Sequence, residues 1–108
     1  MIRVYITGYT LHAGEKKYQI EHQKGLSLLR HGLKEIYNLA INENDLLHII
    51  AYGEHGKPFL HGFDGIHFNI SHCDGLAACA FSDKPLSLFY RQRTGIQLTA
   101  KYYPDFLL

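Results

Sequence analysis

From Ile66 to Ser71 the chain alternates strictly: Ile66, Phe68 and Ile70 fall on one face of an extended segment, and His67, Asn69 and Ser71 on the other. A period of two predicts a strand with one buried face. Asp74-Gly75 follows, a pair favoured in tight hairpin turns because both residues tolerate positive φ. Leu76 to Phe81 then supplies a return strand rich in alanine and suited to close packing. A half-buried hairpin needs a cover, and the upstream sequence provides one. From about Glu15 to Ile41, Ile20, Leu28, Leu29, Leu33, Ile36, Tyr37 and Ala40 recur at steps of three and four, forming the apolar stripe of a helix. Lys24, Arg30, Lys34 and Glu35 fall mostly off that stripe. Gly25 and Gly32 lie inside it; each costs about 1 kcal/mol relative to alanine, which points to close backbone packing.

The remaining segments are shorter. Ile2 to Thr7 reads as an opening strand, and Gly8 to Gly14 as a turn-rich link. Asn42 to Asp45 is a polar break able to cap a short turn, and Leu47 to Tyr52 is expected to be a strand. Gly53 to Pro58 is a turn, Phe59 and Leu60 are extended, and Ser82 to Pro85 turns again before an expected strand over Leu86 to Tyr90. Arg91 to Leu108 shows no clear period. The fold class is α+β, one long helix packed on a mostly antiparallel sheet.

At 108 residues, 46% hydrophobic and 19% charged, the chain fits one globular domain and excludes disordered, collagenous and coiled-coil classes. Eleven Lys/Arg against ten Asp/Glu give a net charge of +1, so no global basic field is present to recruit nucleic acid. No apolar run is long enough for a membrane span, and the N-terminal residues lack the apolar core of a signal peptide, so a cytoplasmic location is expected. Cys73 and Cys79 make no disulfide framework and are expected to be buried thiols. None of the eight histidines forms a pair at metal-ligand helical spacing.

The densest chemistry lies between Gly56 and Pro85. Gly56-Lys57-Pro58 sets a cation between a permissive residue and a rigid one, a loop able to bring backbone and ammonium to a phosphate. Taken alone, it is also an ordinary turn with a solvated lysine. Ser71 and His72 stand at a strand end, where a hydroxyl and an imidazole can bind an anion or bond to nearby backbone. They are no catalytic dyad, because strand neighbours point to opposite faces. Arg30 and Lys34, four apart on the helix, are candidates for a basic lip near Lys57.

Gly56-Lys57-Pro58-Phe59-Leu60, then Phe68-Asn69-Ile70-Ser71-His72, then Ala78 to Phe81 and a turn ending at Pro85, resembles the first half of a 4′-phosphopantetheinyl transferase of the surfactin-synthetase-activating type. The resemblance covers about residues 1–86 and is most specific over 56–85, with Cys73 where the family usually has serine. It implies coenzyme A as substrate and transfer of its phosphopantetheine arm to a serine of an acyl or peptidyl carrier protein. It implies that Lys57, Ser71 and His72 hold the 3′-phosphate region and that backbone at Gly56 to Pro58 flanks the adenine. Arg30 matches a helix arginine of the family. Where the family has a basic residue earlier in that helix, this chain has Glu21 and His22.

The resemblance also implies Mg²⁺, held by the Asp and Glu of a G-I-D-V-E strand. Aligned from Pro85 without gaps, those positions are Phe89 and Arg91, neither of which coordinates a hard divalent ion. A W-x-x-K-E helix, found in the family's second half, is absent from a chain without tryptophan. Residues 1–86 are therefore expected to be a unit like the family's N-terminal half. Residues 87–108 are expected to be a divergent ending, either out of frame or a further strand. The implied whole is a truncated transferase that binds coenzyme A with catalysis impaired or lost, pairing with a second copy through an exposed half-interface. The alternative is a non-catalytic α+β interaction domain that keeps the fold without the ligand. Neither reading calls for nucleic acid or membrane.

Overall fold

A computed structural model describes residues 2–84 and 98–104. Strand β1 (Ile2–Gly8) leads into helix α1 (Lys17–Tyr37), short helix α2 (Glu43–Ile49) and strand β2 (Ile50–Tyr52). A 3₁₀ turn (Glu54–Gly56) separates β2 from β3 (Pro58–Leu60), and β4 (His67–Cys73), β5 (Leu76–Ser82) and β6 (Leu98–Tyr103) follow. The main sheet has the order β4-β5-β1-β6; β4/β5 and β5/β1 are antiparallel and β1/β6 is parallel. β2 and β3 form a separate antiparallel pair. The architecture is α+β, a long helix on a mostly antiparallel sheet.

The expected hairpin is present. Cys73 pairs with Leu76 across the turn, and Gly75 adopts φ +81°. Phe68 stands opposite Phe81, and Ile70 opposite Cys79. Ala77, Cys79 and Phe81 alternate into the core, where α1 lies across β5 with β1 and β4 beside it. The residues that α1 buries are Glu21, Gly25, Leu26, Leu28, Leu29, Gly32 and Leu33. The two glycines permit this approach. A Cβ on Gly32 would sit 2.1 Å from Phe81 Cε2, and one on Gly25 would sit 2.7 Å from Ile70 Cγ2.

Three expectations need correction. First, α1 ends at Tyr37, not near Ile41, because Asn38 takes the left-handed conformation (φ 56°) and its N–H bonds Lys34 C=O at 3.0 Å. Ala40 lies beyond the helix and is exposed. Second, Leu47 to Ile49 are helical, not extended. Asn42 Oδ1 accepts the Asp45 N–H at 2.8 Å, and Glu43 and Asp45 place negative charge in the first turn, so capping starts a helix before the apolar run can extend. Third, Cys73 is exposed and only Cys79 is buried; apolar surroundings push the Cys79 thiol well above its ordinary pKa.

The expected strand at Leu86 to Tyr90 lies outside the described residues. Within the stretch read as a divergent ending, Leu98 to Tyr103 pair in parallel with β1, Tyr5 opposite Lys101. The strand is mostly exposed, so it shows little apolar alternation. Side chains tie it to α1: Lys101 Nζ reaches Glu35 Oε1 at 2.5 Å, and His31 Nε2 lies 3.0 Å from Tyr103 Oη and 2.8 Å from Glu35 Oε2. Among the described residues no helix is long and apolar enough to cross a membrane.

Candidate functional site

A cavity of about 290 Å³ opens between α1, the α2–β2 junction and β4. α1 contributes Glu21, His22 and Leu26; Leu47, Ile50 and Tyr52 come from α2 and β2; Pro58 from β3; and Phe68, Ile70 and His72 from β4. The period of two explains the last set, since 68, 70 and 72 share one face. His72 therefore enters the cavity as the polar end of an apolar row. Ser71 is exposed and does not line the cavity, having fallen on the other face with Asn69.

The loop carrying Gly56-Lys57-Pro58 is built by the β2–β3 pairing, in which Tyr52 stands opposite Pro58. The Gly53 N–H donates to Lys57 C=O at 2.9 Å, and the exposed Gly56 adopts φ +73°, a conformation that favours glycine. Lys57 is exposed beside Pro58. The fold thus brings Pro58 and His72 to one cavity and sets Lys57 next to its rim residue. Arg30 goes elsewhere. It lines a different cavity with Lys34, and no lip joining these two to Lys57 is formed among the described residues.

Reading by motif passed over the residue that organises this site. Glu21 is only 6% exposed. Its Oε1 accepts from Tyr9 Oη at 2.7 Å, and its Oε2 lies 2.9 Å from His72 Nδ1. Lys17 Nζ stands 3.7 Å from Oε1 and also bonds Asp74 at the hairpin turn. A buried carboxylate needs partners of this kind, and here they come from α1, β4 and the residue after β1. Burial first, and then the bond to Glu21, hold the Tyr9 phenol above its ordinary pKa. Lys17 keeps the Asp74 carboxyl below the usual carboxylate range. One signal for Glu21 was available in the sequence: it is in phase with Gly25, Leu28 and Gly32 on the buried stripe.

The arrangement combines an apolar slot with an imidazole anchored at Nδ1, a second imidazole at His22 and a lysine-bearing turn beside it. Such a site suits a ligand with a flat or apolar part and an anionic part.

This chain is similar to a 4′-phosphopantetheinyl transferase. The relative is the 4′-phosphopantetheinyl transferase gsp of Aneurinibacillus migulanus, 44% identical over 64 residues. The match covers 59% of this chain and 24% of the relative, so the chain spans about a quarter of the length of the protein it resembles. No family model matches the chain, and no solved structure matches it. The likeness agrees with the resemblance read from the Gly56–Pro58 and Phe68–His72 motifs.

Mg²⁺ is the metal that this likeness brings into question. Glu21 is a poor ligand for it, because both of its carboxylate oxygens already have partners in Tyr9 and His72. Among the described residues no group of three or more His, Cys, Asp or Glu is placed to hold a metal ion. The described residues do not fit the ion.

Proposed function

We propose that this chain binds coenzyme A in the cavity between α1 and β4, as a unit related to the first part of a 4′-phosphopantetheinyl transferase. The single observation that carries this is the meeting of the two motifs shared with that family, Pro58 from one and His72 from the other, on one cavity. In this reading Lys57 and His72 hold the 3′-phosphate through charge-assisted hydrogen bonds, and Ser71 adds a hydroxyl from the strand end. Backbone at Gly56 to Pro58 flanks the adenine, against the apolar wall of Ile50, Tyr52 and Ile70. A serine of an acyl or peptidyl carrier protein is the acceptor that the family serves.

Transfer by this chain alone is proposed to be weak or absent. Phosphoryl transfer depends on neutralising charge at the reacting phosphate, and in the ungapped reading from Pro85 the family's acidic metal ligands are replaced by Phe89 and Arg91.

Calorimetry of the purified chain with coenzyme A tests the reading. Binding is expected, with Lys57→Ala and His72→Ala each weakening it by about tenfold, the size of one charge-assisted contact. No heat at millimolar coenzyme A overturns it. Efficient modification of a carrier protein in the presence of Mg²⁺ overturns the claim of weak transfer and leaves the binding claim standing.

A further inference from the structure

A second cavity, of about 440 Å³, lies between the C-terminal half of α1 and the loop that follows it. Arg30, His31, Lys34, Ala40, Ile41 and Asn42 line it; two of these carry fixed positive charge and none is a carboxylate. Arg30 and Lys34 are one helical turn apart, so their side chains rise on the same face. The left-handed Asn38 ends α1 and turns the chain back, which sets 39–42 against that face.

The loop anchors both cations. Arg30 Nε–H donates to Ile41 C=O at 3.0 Å, and Lys34 Nζ donates to Asn38 Oδ1 at 2.8 Å. The arginine bond occupies one of five N–H donors and leaves those on the terminal nitrogens. Holding these side chains beforehand lowers the entropy lost when a ligand is clasped. Two carboxylates are bonded to lining residues from outside the cavity. Glu35 pairs with Lys101 as well as His31, and Asp45 accepts from Asn42 Nδ2 at 3.0 Å. The volume falls within the range of small-molecule sites.

We propose that this cavity binds a small oxyanion ligand, a phosphate ester or a carboxylate, on Arg30 and Lys34, separately from the cavity at His72. His22, which lines the first cavity, and Arg30 are eight residues apart on α1, about 12 Å along the helix axis. Arg30 supplies the forked donor geometry that oxyanions accept, and Lys34 supplies a mobile point charge beside it.

The test is an NMR titration of the ¹⁵N-labelled full chain with pyrophosphate and, separately, with malonate. It is followed at the backbone amides of 39–42 and at the Arg30 Nε–H. These signals are expected to move with saturation. A response to pyrophosphate alone assigns a phosphate ester, one to malonate alone a carboxylate, and one to both an unselective oxyanion site. Lys34→Glu, at an exposed position that the core does not need, is expected to weaken the response by about tenfold or more through charge reversal. Silence of these signals with both anions overturns the proposal, as does a Lys34→Glu response equal to that of the native chain. Failure of coenzyme A to bind at His72 affects neither outcome.

Discussion

His72 Nδ1 lies 2.9 Å from Glu21 Oε2, so the last residue in the apolar row of β4 is fixed by a carboxylate buried on α1. The other oxygen of Glu21 accepts the Tyr9 hydroxyl, whose Oη also lies 3.2 Å from Cys73 C=O. Helix, hairpin and the end of β1 are joined at one buried charge. Glu21→Ala removes the shared acceptor and is expected to cost about 1–3 kcal/mol, the penalty for stranding buried polar partners. Urea unfolding measures it. A variant as stable as the native chain would show that the cluster does not hold these elements together.

Gly32 and Gly25 separate helix propensity from packing. Alanine at either position gains about 1 kcal/mol in propensity. At Gly32 the new methyl meets the ring of Phe81, itself 1% exposed, and overpacking of that kind costs about 1–3 kcal/mol. Gly32→Ala is therefore expected to destabilise the chain. At Gly25 the new methyl would come 2.7 Å from Ile70 Cγ2, a branch held on a stiff β-branched Cβ, so Gly25→Ala is also expected to destabilise, by less than Gly32→Ala because Ile70 is only half-buried. Thermal unfolding of the two variants gives the order; the reverse order contradicts the packing of α1 on β5.

The alkaline limb of stability should report on Tyr5. Burial, followed by the charge of Glu35, pushes its phenol up to about 12 from an ordinary value of 10.0. The fold therefore favours the protonated form. That contribution is complete below about pH 10, where the unfolded chain is protonated too, and is lost as pH rises from there toward about 12. Urea midpoints are expected to fall over that interval. Tyr5→Phe should flatten part of the fall, and an unchanged alkaline limb in that variant would remove Tyr5 as its source.

Acid behaves in the opposite sense at Glu35. Lys101 holds its carboxyl below the ordinary carboxylate value, against some opposing desolvation. Stability from the pair is present above the unfolded value and is lost as pH falls through the lowered folded one. Lys101→Ala should reduce the acid-induced loss, and added salt should reduce it in the native chain, since the pair is solvent-accessible. Because Lys101 belongs to β6 and Glu35 to α1, equal acid limbs in both proteins would argue against this tie between the two elements.

The two thiols should separate by accessibility. Cys73 is exposed, whereas Cys79 is buried with its thiol held protonated. A disulfide-exchange reagent is expected to label Cys73 in the native chain and to reach Cys79 only on unfolding. Rapid labelling of both without denaturant would contradict the core assigned to β5.

The local sequence determined the hairpin, the helix and the motif-bearing turn, because each is written in short-range terms: a period of two, a period near 3.6, and residues tolerant of positive φ. It also determined that His72 would share a face with Phe68 and Ile70 while Ser71 would not. It did not show where α1 ends, since the apolar spacing continues past the point where Asn38 turns the chain. The apolar letters of Leu47 to Tyr52 likewise fit a strand until the Asn42 cap commits the first part to a helix. The placement of Arg30 and the partners of Glu21 were decided only in three dimensions. Arg30 is on the same helix as His22 but about two turns away, and it lines a separate, open cavity with residues 40–42. Glu21 meets Tyr9 and His72 from sequence distances of 12 and 51 residues, and a buried charge is stabilised only by such long-range partners, which no local pattern can specify.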